Sequence, residues 1–213
     1  MWRHVFLDFG GTLARERRAR HEIYAEVARE VGLGVEVERV RSAMARVHAA
    51  LPRCLGKAWR YDDEWFSAFM ERVFCGELGL PERALPALAG RLFAVFRDPR
   101  TFQLYPGALE LLDALLGAGV TVAIVSNWST ALPELVEGLG LHSRVSAVLA
   151  SAIERVEKPS PELFRRALER TGAEAATCAH AGDRYEIDCL GAAAAGITPI
   201  LVEHGVRSGP VGG

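Results

Sequence analysis

The sequence predicts an α/β fold in which a doubly wound parallel sheet is interrupted by an inserted block of four helices. After residue 104, short apolar runs of strand length alternate with helical segments, and a further strand-like run opens the chain. This alternation is typical of a parallel sheet with helices on both faces. Residues 15–103 instead carry apolar residues at helical spacing. We therefore predict a core of residues 1–14 and 104–213 and a helical insert of residues 15–103.

The core elements can be placed in order along the chain. The apolar run His4–Phe9 ends at Gly10-Gly11-Thr12, which predicts a strand followed by a tight turn. Ser160 and Pro161 are a favourable N-cap and first-turn residue for one of the later helices. The Gly- and Pro-rich tail from Ser208 is expected to be frayed. Later strands are predicted at 121–127, 145–150, 178–182 and 197–202, and helices at 108–116, 133–139, 161–171 and 187–195.

The insert is predicted to contain helices only. Its apolar residues recur three and four positions apart, and Gly- and Pro-containing stretches near residues 32–34, 52–56 and 79–81 divide it into four segments. No alternation typical of strands is present. An aromatic cluster is expected to lie mainly in the core of this bundle, with Trp59 or Tyr61 as the alternative candidates for a wall of the substrate pocket. A run of arginines is expected at the solvated start of the first helix, with contact to an anionic substrate as the alternative. The cluster comprises Trp59, Tyr61, Trp65 and Phe66, and the run comprises Arg15, Arg17, Arg18 and Arg20.

Composition excludes several classes of function. The formal net charge of −2 gives no electrostatic basis for binding nucleic acid or an anionic membrane. Neither a signal peptide nor an uninterrupted apolar stretch of about 18 residues is present, so a cytoplasmic location without a membrane span is expected. The four cysteines form no CxxC pair, which predicts free thiols and no zinc site. The pattern does not indicate an oligomeric state.

Polar residues follow four of the predicted strands or lie just beyond them. Asp8, Ser126, Lys158 and Asp183 stand there in sequence order, and Asp188 follows shortly after. Parallel strands joined by right-handed crossovers place their carboxyl ends at one edge of the sheet, where ligands bind. Each residue alone has an ordinary explanation as a turn, cap or solvated group. Their joint occurrence predicts a site.

These motifs resemble those of the haloacid dehalogenase-like hydrolases. Residues 8–13 (DFGGTL) resemble the first motif of the superfamily, Ser126-Asn127 the second, residues 158–161 (KPSP) the third and residues 182–188 (GDRYEID) the fourth. The order is that of the family, and the insert resembles its helical cap of the first type. The resemblance implies a Rossmann-like core with a four-helix cap over the carboxyl edge of the sheet.

The resemblance also implies the chemistry. Asp8 would be a nucleophile that attacks phosphorus and forms an aspartyl-phosphate, which water then hydrolyses. Mg²⁺ prefers oxygen ligands. It would be held by the carboxylates of Asp8 and Asp183 and by the backbone carbonyl of Gly10. The implied partner is a small phosphorylated metabolite.

The remaining motif residues would surround the phosphate. Lys158 would place a positive charge beside Asp8 and the phosphate. Ser126 and Thr12 would donate hydrogen bonds to phosphate oxygens, and Asn127 is a further candidate for phosphate binding. Asp188 would either support the metal from outside its ligands or anchor Lys158.

The chain departs from the family pattern at Gly10. Phosphatases of the family usually carry a second Asp at this position, two residues after the nucleophile, which protonates the leaving oxygen and later activates water. Glycine cannot transfer a proton, and such assistance is typically worth about 10²–10⁴-fold. Substrates with good leaving groups, such as acyl or aryl phosphates, would therefore be favoured. Donors from the insert would be His21, His48, Asp62, Asp63 or Glu64.

Three other functions remain open at this stage. A phosphonatase-like enzyme would use Lys57 as a Schiff base. A 2-haloacid dehalogenase would use Asp8 to attack carbon without metal, although Asp183 favours Mg²⁺ because two neighbouring carboxylates repel each other without a cation. The chain could also be a catalytically impaired member that binds a phosphorylated ligand or a protein partner. Glycine at position 10 would then reflect the loss of catalysis.

Overall fold

As the sequence predicts, the central sheet has five parallel strands; side by side, they are Ala147–Ala150, Thr121–Ser126, His4–Leu7, Cys178–Gly182 and Thr198–Leu201. The computed structural model describes residues 2–204, so the predicted frayed tail from Ser208 lies outside it. The strands are β1 (His4–Leu7), β2 (Ala14–Glu16), β3 (Cys54–Leu55), β4 (Ala58–Trp59), β5 (Phe102–Leu104), β6 (Thr121–Ser126), β7 (Ala147–Ala150), β8 (Cys178–Gly182) and β9 (Thr198–Leu201).

Helices cover both faces of the sheet and fill the insert. The α-helices are α1 (Arg20–Glu30), α2 (Val37–Ala50), α3 (Asp63–Glu71), α4 (Leu85–Arg97), α5 (Ala108–Gly117), α6 (Leu132–Gly138), α7 (Ser151–Glu154), α8 (Pro161–Thr171) and α9 (Leu190–Ala194). π-helical segments span Arg72–Glu77 and Tyr185–Cys189, and 3₁₀ turns span Glu82–Ala84, Pro99–Thr101, His142–Arg144 and Ala175–Thr177. None of the described helices is both long and apolar enough to cross a membrane.

Strand β1 lies at the centre of the sheet and fixes the position of the site. His4 is in register with Thr121 of β6 on one side and with Cys178 of β8 on the other. The side chains of the strands alternate between two separate apolar layers, one under each face. Because all three strands run in the same direction, the residues that follow them meet at a single edge.

A two-stranded ribbon joins the core to the insert. β2 pairs antiparallel with β5, so that Ala14 faces Leu104 and Glu16 faces Phe102. The chain leaves the core along one strand of the ribbon and returns along the other. The boundaries predicted at 14/15 and 103/104 therefore fall inside the ribbon. The apolar pattern of the sequence cannot reveal strands of only three residues, because the alternation typical of a strand needs a longer run to be recognised.

The prediction that residues 15–103 contain no strand is wrong. In addition to the ribbon, β3 and β4 form a short hairpin in which Cys54 is in register with Trp59. Gly56, with φ +62°, lies in the turn, a backbone conformation that glycine adopts without steric cost. The sequence marked residues 52–56 only as a break between helices. Four α-helices are present in the insert, in agreement with the prediction.

The insert has an apolar core of its own, distinct from the layers under the sheet. Its buried side chains come from all four of its α-helices, with Tyr24 and Trp65 among the largest. Polar contacts also join the insert to the core. Arg53 of the insert lies 2.5 Å from the buried carboxylate of Glu157, and Thr130 donates a hydrogen bond to Asp63 at 3.1 Å.

The four cysteines are free thiols, as predicted. Cys54 is exposed, whereas Cys178 and Cys189 are buried. Burial raises the pKa of the Cys178 thiol to about 12. Because the thiolate is the reactive form, this side chain is a small apolar residue of the core.

Candidate active site

The predicted site residues meet at the carboxyl edge of the sheet. Asp8 follows β1 directly, Ser126 ends β6 and Asp183 follows β8. A cavity of about 340 Å³, which we name the Asp8 cleft, opens at this edge. The predicted residues that line it are Asp8, Gly10, Ser126, Asn127, Lys158, Asp183 and Asp188. Thr12 is buried close by in the chain and does not line the cleft.

Lys158 lies at the centre of the cleft and pairs with two carboxylates. Its Nζ is 2.6 Å from Oδ1 of Asp8 and 2.5 Å from Oδ1 of Asp188, and all three side chains are buried. A buried ammonium requires such partners, because an unpaired charge in the interior is costly. The lysine is thus held in place as a charged group beside the candidate nucleophile.

Asp188 is bonded through both of its carboxylate oxygens. Oδ1 accepts from Lys158 and lies 3.0 Å from Nε2 of His180, and Oδ2 accepts from the backbone N–H of Arg184 at 3.0 Å. Burial alone would raise the pKa of Asp188, but the hydrogen bond from His180 and the charge of Lys158 outweigh it and hold the pKa below its usual range. Of the two roles expected for Asp188, these contacts match the anchor for Lys158.

His180 belongs to the site, although the sequence analysis did not select it. It is fully buried in β8, and burial lowers its pKa. The signal was available, since a histidine interrupts the otherwise apolar and small residues of Cys178–Gly182. A single histidine in a strand is too common in protein cores to be selected without its neighbours.

Asp183 has an unmet bonding capacity that points towards a cation. Its Oδ1 is buried and has no hydrogen-bond partner among the described residues. Burial and the neighbouring negative charges of Asp8 and Asp188 raise its pKa. Carboxylate oxygens of these three residues lie within 4.8 Å of one another. The donors are the hard oxygen ligands that Mg²⁺ prefers, so the residues present fit that ion.

Gly11 allows the nucleophile loop to approach Asp183. Its φ is +82°, and an added Cβ atom would lie 2.4 Å from Oδ2 of Asp183. Both the left-handed backbone and the short distance disfavour a residue with a side chain at this position. Glycine therefore lets the loop after β1 approach the loop after β8 without strain or displacement of Asp183.

Trp128 occupies the space next to Gly10. An added Cβ atom at Gly10 would lie 2.4 Å from Cζ3 of the indole. The ring is fixed by edge-to-face packing on Phe9, with centroids 5.0 Å apart, and on Phe102 at 5.9 Å. The space that the side chain of the family's second aspartate would occupy is thus filled by the ring of Trp128. The sequence analysis did not identify this tryptophan as a neighbour of Gly10.

Asn127 and Thr12 have contacts that the sequence did not predict. The Asn127 amide bonds both backbone groups of Lys158: its Nδ2 donates to the carbonyl at 2.9 Å, and its Oδ1 accepts from the N–H at 2.8 Å. The hydroxyl of Thr12 is buried without a partner among the described residues. Binding of phosphate by either residue stays a prediction.

None of the five proton donors expected from the insert lines the Asp8 cleft. Asp62 caps α3 by accepting from the backbone N–H of Trp65 at 2.8 Å, and Asp63 pairs with Arg97 at 2.6 Å. Neither lines the cleft, nor do His21, His48 or Glu64. Glu16 of β2 does line it and pairs with Arg20. Because strand β2 was not predicted, Glu16 was not selected as a candidate from the sequence.

Comparison with known proteins identifies the family. The profile of the haloacid dehalogenase-like hydrolases matches residues 2–196. The chain belongs to this family. Haloacid dehalogenase-like hydrolase domain-containing protein 3 of Mus musculus is 32% identical over 92% of this chain and 79% of its own length.

Relatives within the family differ in their activities. The phosphoserine phosphatase of Thermus thermophilus is 29% identical over 95% of this chain and 89% of its own length. The structure of L-2-haloacid dehalogenase from Xanthobacter autotrophicus superposes with a TM-score of 0.68 at 26% identity, covering 97% of this chain and 80% of that one. The sheet of the present chain is thus the Rossmann-like sheet of the family, and the chain is a hydrolase.

The burial of Lys158 leads to a prediction about stability in this family member. Lys158→Met is expected to lower the free energy of unfolding by about 3 kcal/mol, because it leaves the buried carboxylates of Asp8 and Asp188 without their shared cation. Urea denaturation measures the change. Lys57→Met provides the control: Lys57 is exposed, and its replacement should alter stability by less than about 0.5 kcal/mol. Equal effects of both variants would contradict the pairing.

Proposed function

We propose that this hydrolase is a Mg²⁺-dependent phosphatase that uses Asp8 as its nucleophile on a small phosphorylated metabolite. The observation that carries the proposal is the unpartnered, buried oxygen of Asp183 beside Asp8. A dehalogenase that attacks carbon has no use for a second free carboxylate near its nucleophile, since the two charges repel. The phosphatases among the chain's relatives support the same reaction class.

Asp8, Asp183 and the backbone carbonyl of Gly10 would hold the ion. When bound, Mg²⁺ supplies positive charge that screens the phosphate from the carboxylates and stabilises charge in the transition state. Asp188 is left out of this set, because its oxygens are already bonded to Lys158, His180 and Arg184.

The chemistry of Asp8 proceeds in two steps. Lys158 holds Oδ1, and the other oxygen, Oδ2, attacks phosphorus while the bond from phosphorus to the leaving oxygen breaks. The leaving group departs with the electron pair and takes a proton from water. A water molecule then attacks the aspartyl-phosphate, which releases inorganic phosphate and restores the carboxylate.

The other motif residues hold the phosphate and the lysine. Lys158 and the hydroxyl of Ser126 stabilise the equatorial oxygens, and the hydroxyl of Thr12, which is unpartnered among the described residues, is a further donor to the same group. Asn127 acts as a positioning residue, because it fixes the backbone of Lys158 at both its N–H and its carbonyl.

The insert serves as the cap over this site. We place its boundaries in the β2–β5 ribbon, so that residues 15–103 form the cap and residues 1–14 with 104–213 form the catalytic core. The contact of Arg53 with Glu157, next to Lys158, and that of Asp63 with Thr130 support this arrangement. Caps of this kind exclude water during the reaction.

Phosphate release tests the proposal. The purified chain is expected to release phosphate from acetyl phosphate and from p-nitrophenyl phosphate in the presence of Mg²⁺, and to lose this activity after treatment with EDTA. Both substrates have good leaving groups, which compensates for the missing acid at Gly10. Restoration by added Mg²⁺ is the control for irreversible damage. Activity that survives metal removal would contradict the metal site, and tight binding of a phosphate analogue without release would indicate a binding protein.

A 2-haloacid dehalogenase is the second candidate. It is favoured by the structural likeness to the Xanthobacter enzyme and by Gly10, because attack on carbon needs no acid for a leaving oxygen. Chloride release from 2-chloropropionate that is unaffected by EDTA would establish it in place of the phosphatase. The phosphonatase alternative has lost its support, since Lys57 is exposed on the β3–β4 turn and lines neither the Asp8 cleft nor the larger cavity beside it.

A further inference from the structure

A second and larger cavity adjoins the Asp8 cleft on the side of the cap. Its volume is about 510 Å³, within the range of small-molecule sites. It shares Arg20, Asn127 and Trp128 with the cleft. A molecule with its phosphate at Asp8 would therefore extend its organic part into this space, which we name the aromatic cavity.

The walls of the aromatic cavity are rings. The aromatic residues that line it include Tyr61, Trp65, Phe66, Phe69, Phe96 and Trp128. Several of these are packed face to face or edge to face with one another, for example Trp65 with Phe69 at 5.6 Å and Tyr61 with Trp65 at 5.5 Å. Such surfaces bind planar apolar groups through stacking and burial of area.

The charges of the lining residues restrict the chemical class of the ligand further. Within residues 2–204, no carboxylate is among the residues that line the aromatic cavity, so an ammonium group, such as that of phosphoserine, would have no partner from this part of the chain. The cation that does line it, Arg20, is placed over the rings of Phe96 and Trp128 at the junction with the cleft. The chemistry of the walls thus differs from that needed by an amino acid.

One polar group in the aromatic cavity lacks a partner. Tyr24 is fully buried and lines the cavity, and its hydroxyl has no hydrogen-bond partner among the described residues. Buried polar groups in native proteins are nearly always bonded, and each exception needs an explanation. The hydroxyl is closed to solvent, so a polar substituent of a ligand would bond it only after the neighbouring side chains shift.

We propose that the substrate is an aryl phosphate, that is, a phosphate monoester of a phenol, and that its ring system binds in the aromatic cavity. This inference rests on the proposed function. It agrees with the missing acid at Gly10, because a phenolate leaves without protonation far more readily than an alkoxide. In the reaction, the bond from phosphorus to the aryl oxygen breaks, and the aryloxide takes its proton from water.

The first test compares two substrates with leaving phenols of similar acidity. The KM for 2-naphthyl phosphate is expected to be about tenfold lower than that for phenyl phosphate, because the second ring buries additional apolar area. Binding of 2-naphthol to the Asp8→Asn protein, monitored through the fluorescence of the naphthol, tests the aromatic cavity without any turnover. The naphthol should bind, and the tenfold preference should appear.

The second test blocks the cavity with matched variants on α2. Ala49 and its neighbour Ala50 are both exposed, but of the two only Ala49 lines the aromatic cavity. Ala49→Trp is expected to abolish naphthol binding and to lower the ratio of kcat/KM for 2-naphthyl phosphate over acetyl phosphate about tenfold. Ala50→Trp should leave both unchanged. Circular dichroism and thermal melting check folding, and Ala45→Trp, at another lining position, replaces Ala49→Trp if that variant is misfolded.

The outcomes separate this inference from the proposed function. Mg²⁺-dependent hydrolysis of acetyl phosphate with no naphthyl preference and no naphthol binding would overturn the inference and leave the phosphatase intact. Naphthol binding that Ala49→Trp removes, without phosphate release from any substrate, would overturn the phosphatase and its aryl substrate together, leaving only a site for aromatic molecules.

Discussion

The double variant Gly10→Asp/Trp128→Ala is expected to hydrolyse glycerol phosphate at least about a hundredfold faster than the unaltered chain. An aspartate at position 10 would protonate the leaving oxygen, which an alkyl phosphate requires and an aryl phosphate does not. Gly10→Asp alone should instead lower activity, because its Cβ atom would lie 2.4 Å from the indole of Trp128. The sequence alone predicts a gain for the single change if the pocket can seat the carboxylate; the structure shows that Trp128 fills that position.

Two control variants separate the steric effect from the chemical one. Gly10→Ala introduces the same Cβ atom without an acid, and should lower activity about as much as Gly10→Asp does. Gly10→Asn/Trp128→Ala has the shape of the double variant but cannot transfer a proton. Initial rates on glycerol phosphate with Mg²⁺ measure all of them. If the asparagine double variant is as fast as the aspartate one, proton transfer is not the source of the gain.

Asp8→Asn is expected to reduce phosphate release by more than about a thousandfold on every substrate, because the amide is not a nucleophile. The substitution preserves shape, and Lys158 keeps its contact with Asp188, so the fold should persist. Initial rates on acetyl phosphate measure the loss, and acid quenching during turnover should trap the aspartyl-phosphate only in the unaltered chain.

Asp113→Asn is the matched control for this loss. Asp113 is exposed, pairs with Arg144 at 2.6 Å and does not line the Asp8 cleft. Its replacement should leave phosphate release within about twofold, as surface changes usually do. Retained turnover in Asp8→Asn, with a normal melting curve, would exclude Asp8 as the nucleophile.

The core and the meeting of the motif residues could be predicted because both depend on local pattern and on chain direction. Apolar runs gave the five parallel strands, and parallel strands bring Asp8, Ser126 and Asp183 to one edge whatever their separation in sequence. Only the directions of the strands had to be known.

The contacts between distant side chains could not be predicted in the same way. Trp128 follows the second motif directly, but its ring direction depends on Phe9 and Phe102, which approach only in the folded chain. Likewise, periodicity correctly placed Trp65 in the core of the bundle. It could not show that the half-buried Tyr61 and Phe66 line a cavity beside that core.

The contact between Gly10 and Trp128 also has a consequence for the evolution of this chain. Gly10→Asp made first is disadvantageous because its Cβ atom would clash with the indole, and replacement of Trp128 made first is disadvantageous because the ring packing is lost. Only the two substitutions together would allow hydrolysis of alkyl phosphates. A lineage that carries this tryptophan therefore cannot regain the acid by single accepted steps. Among homologous sequences, aspartate at position 10 and tryptophan at position 128 should exclude each other.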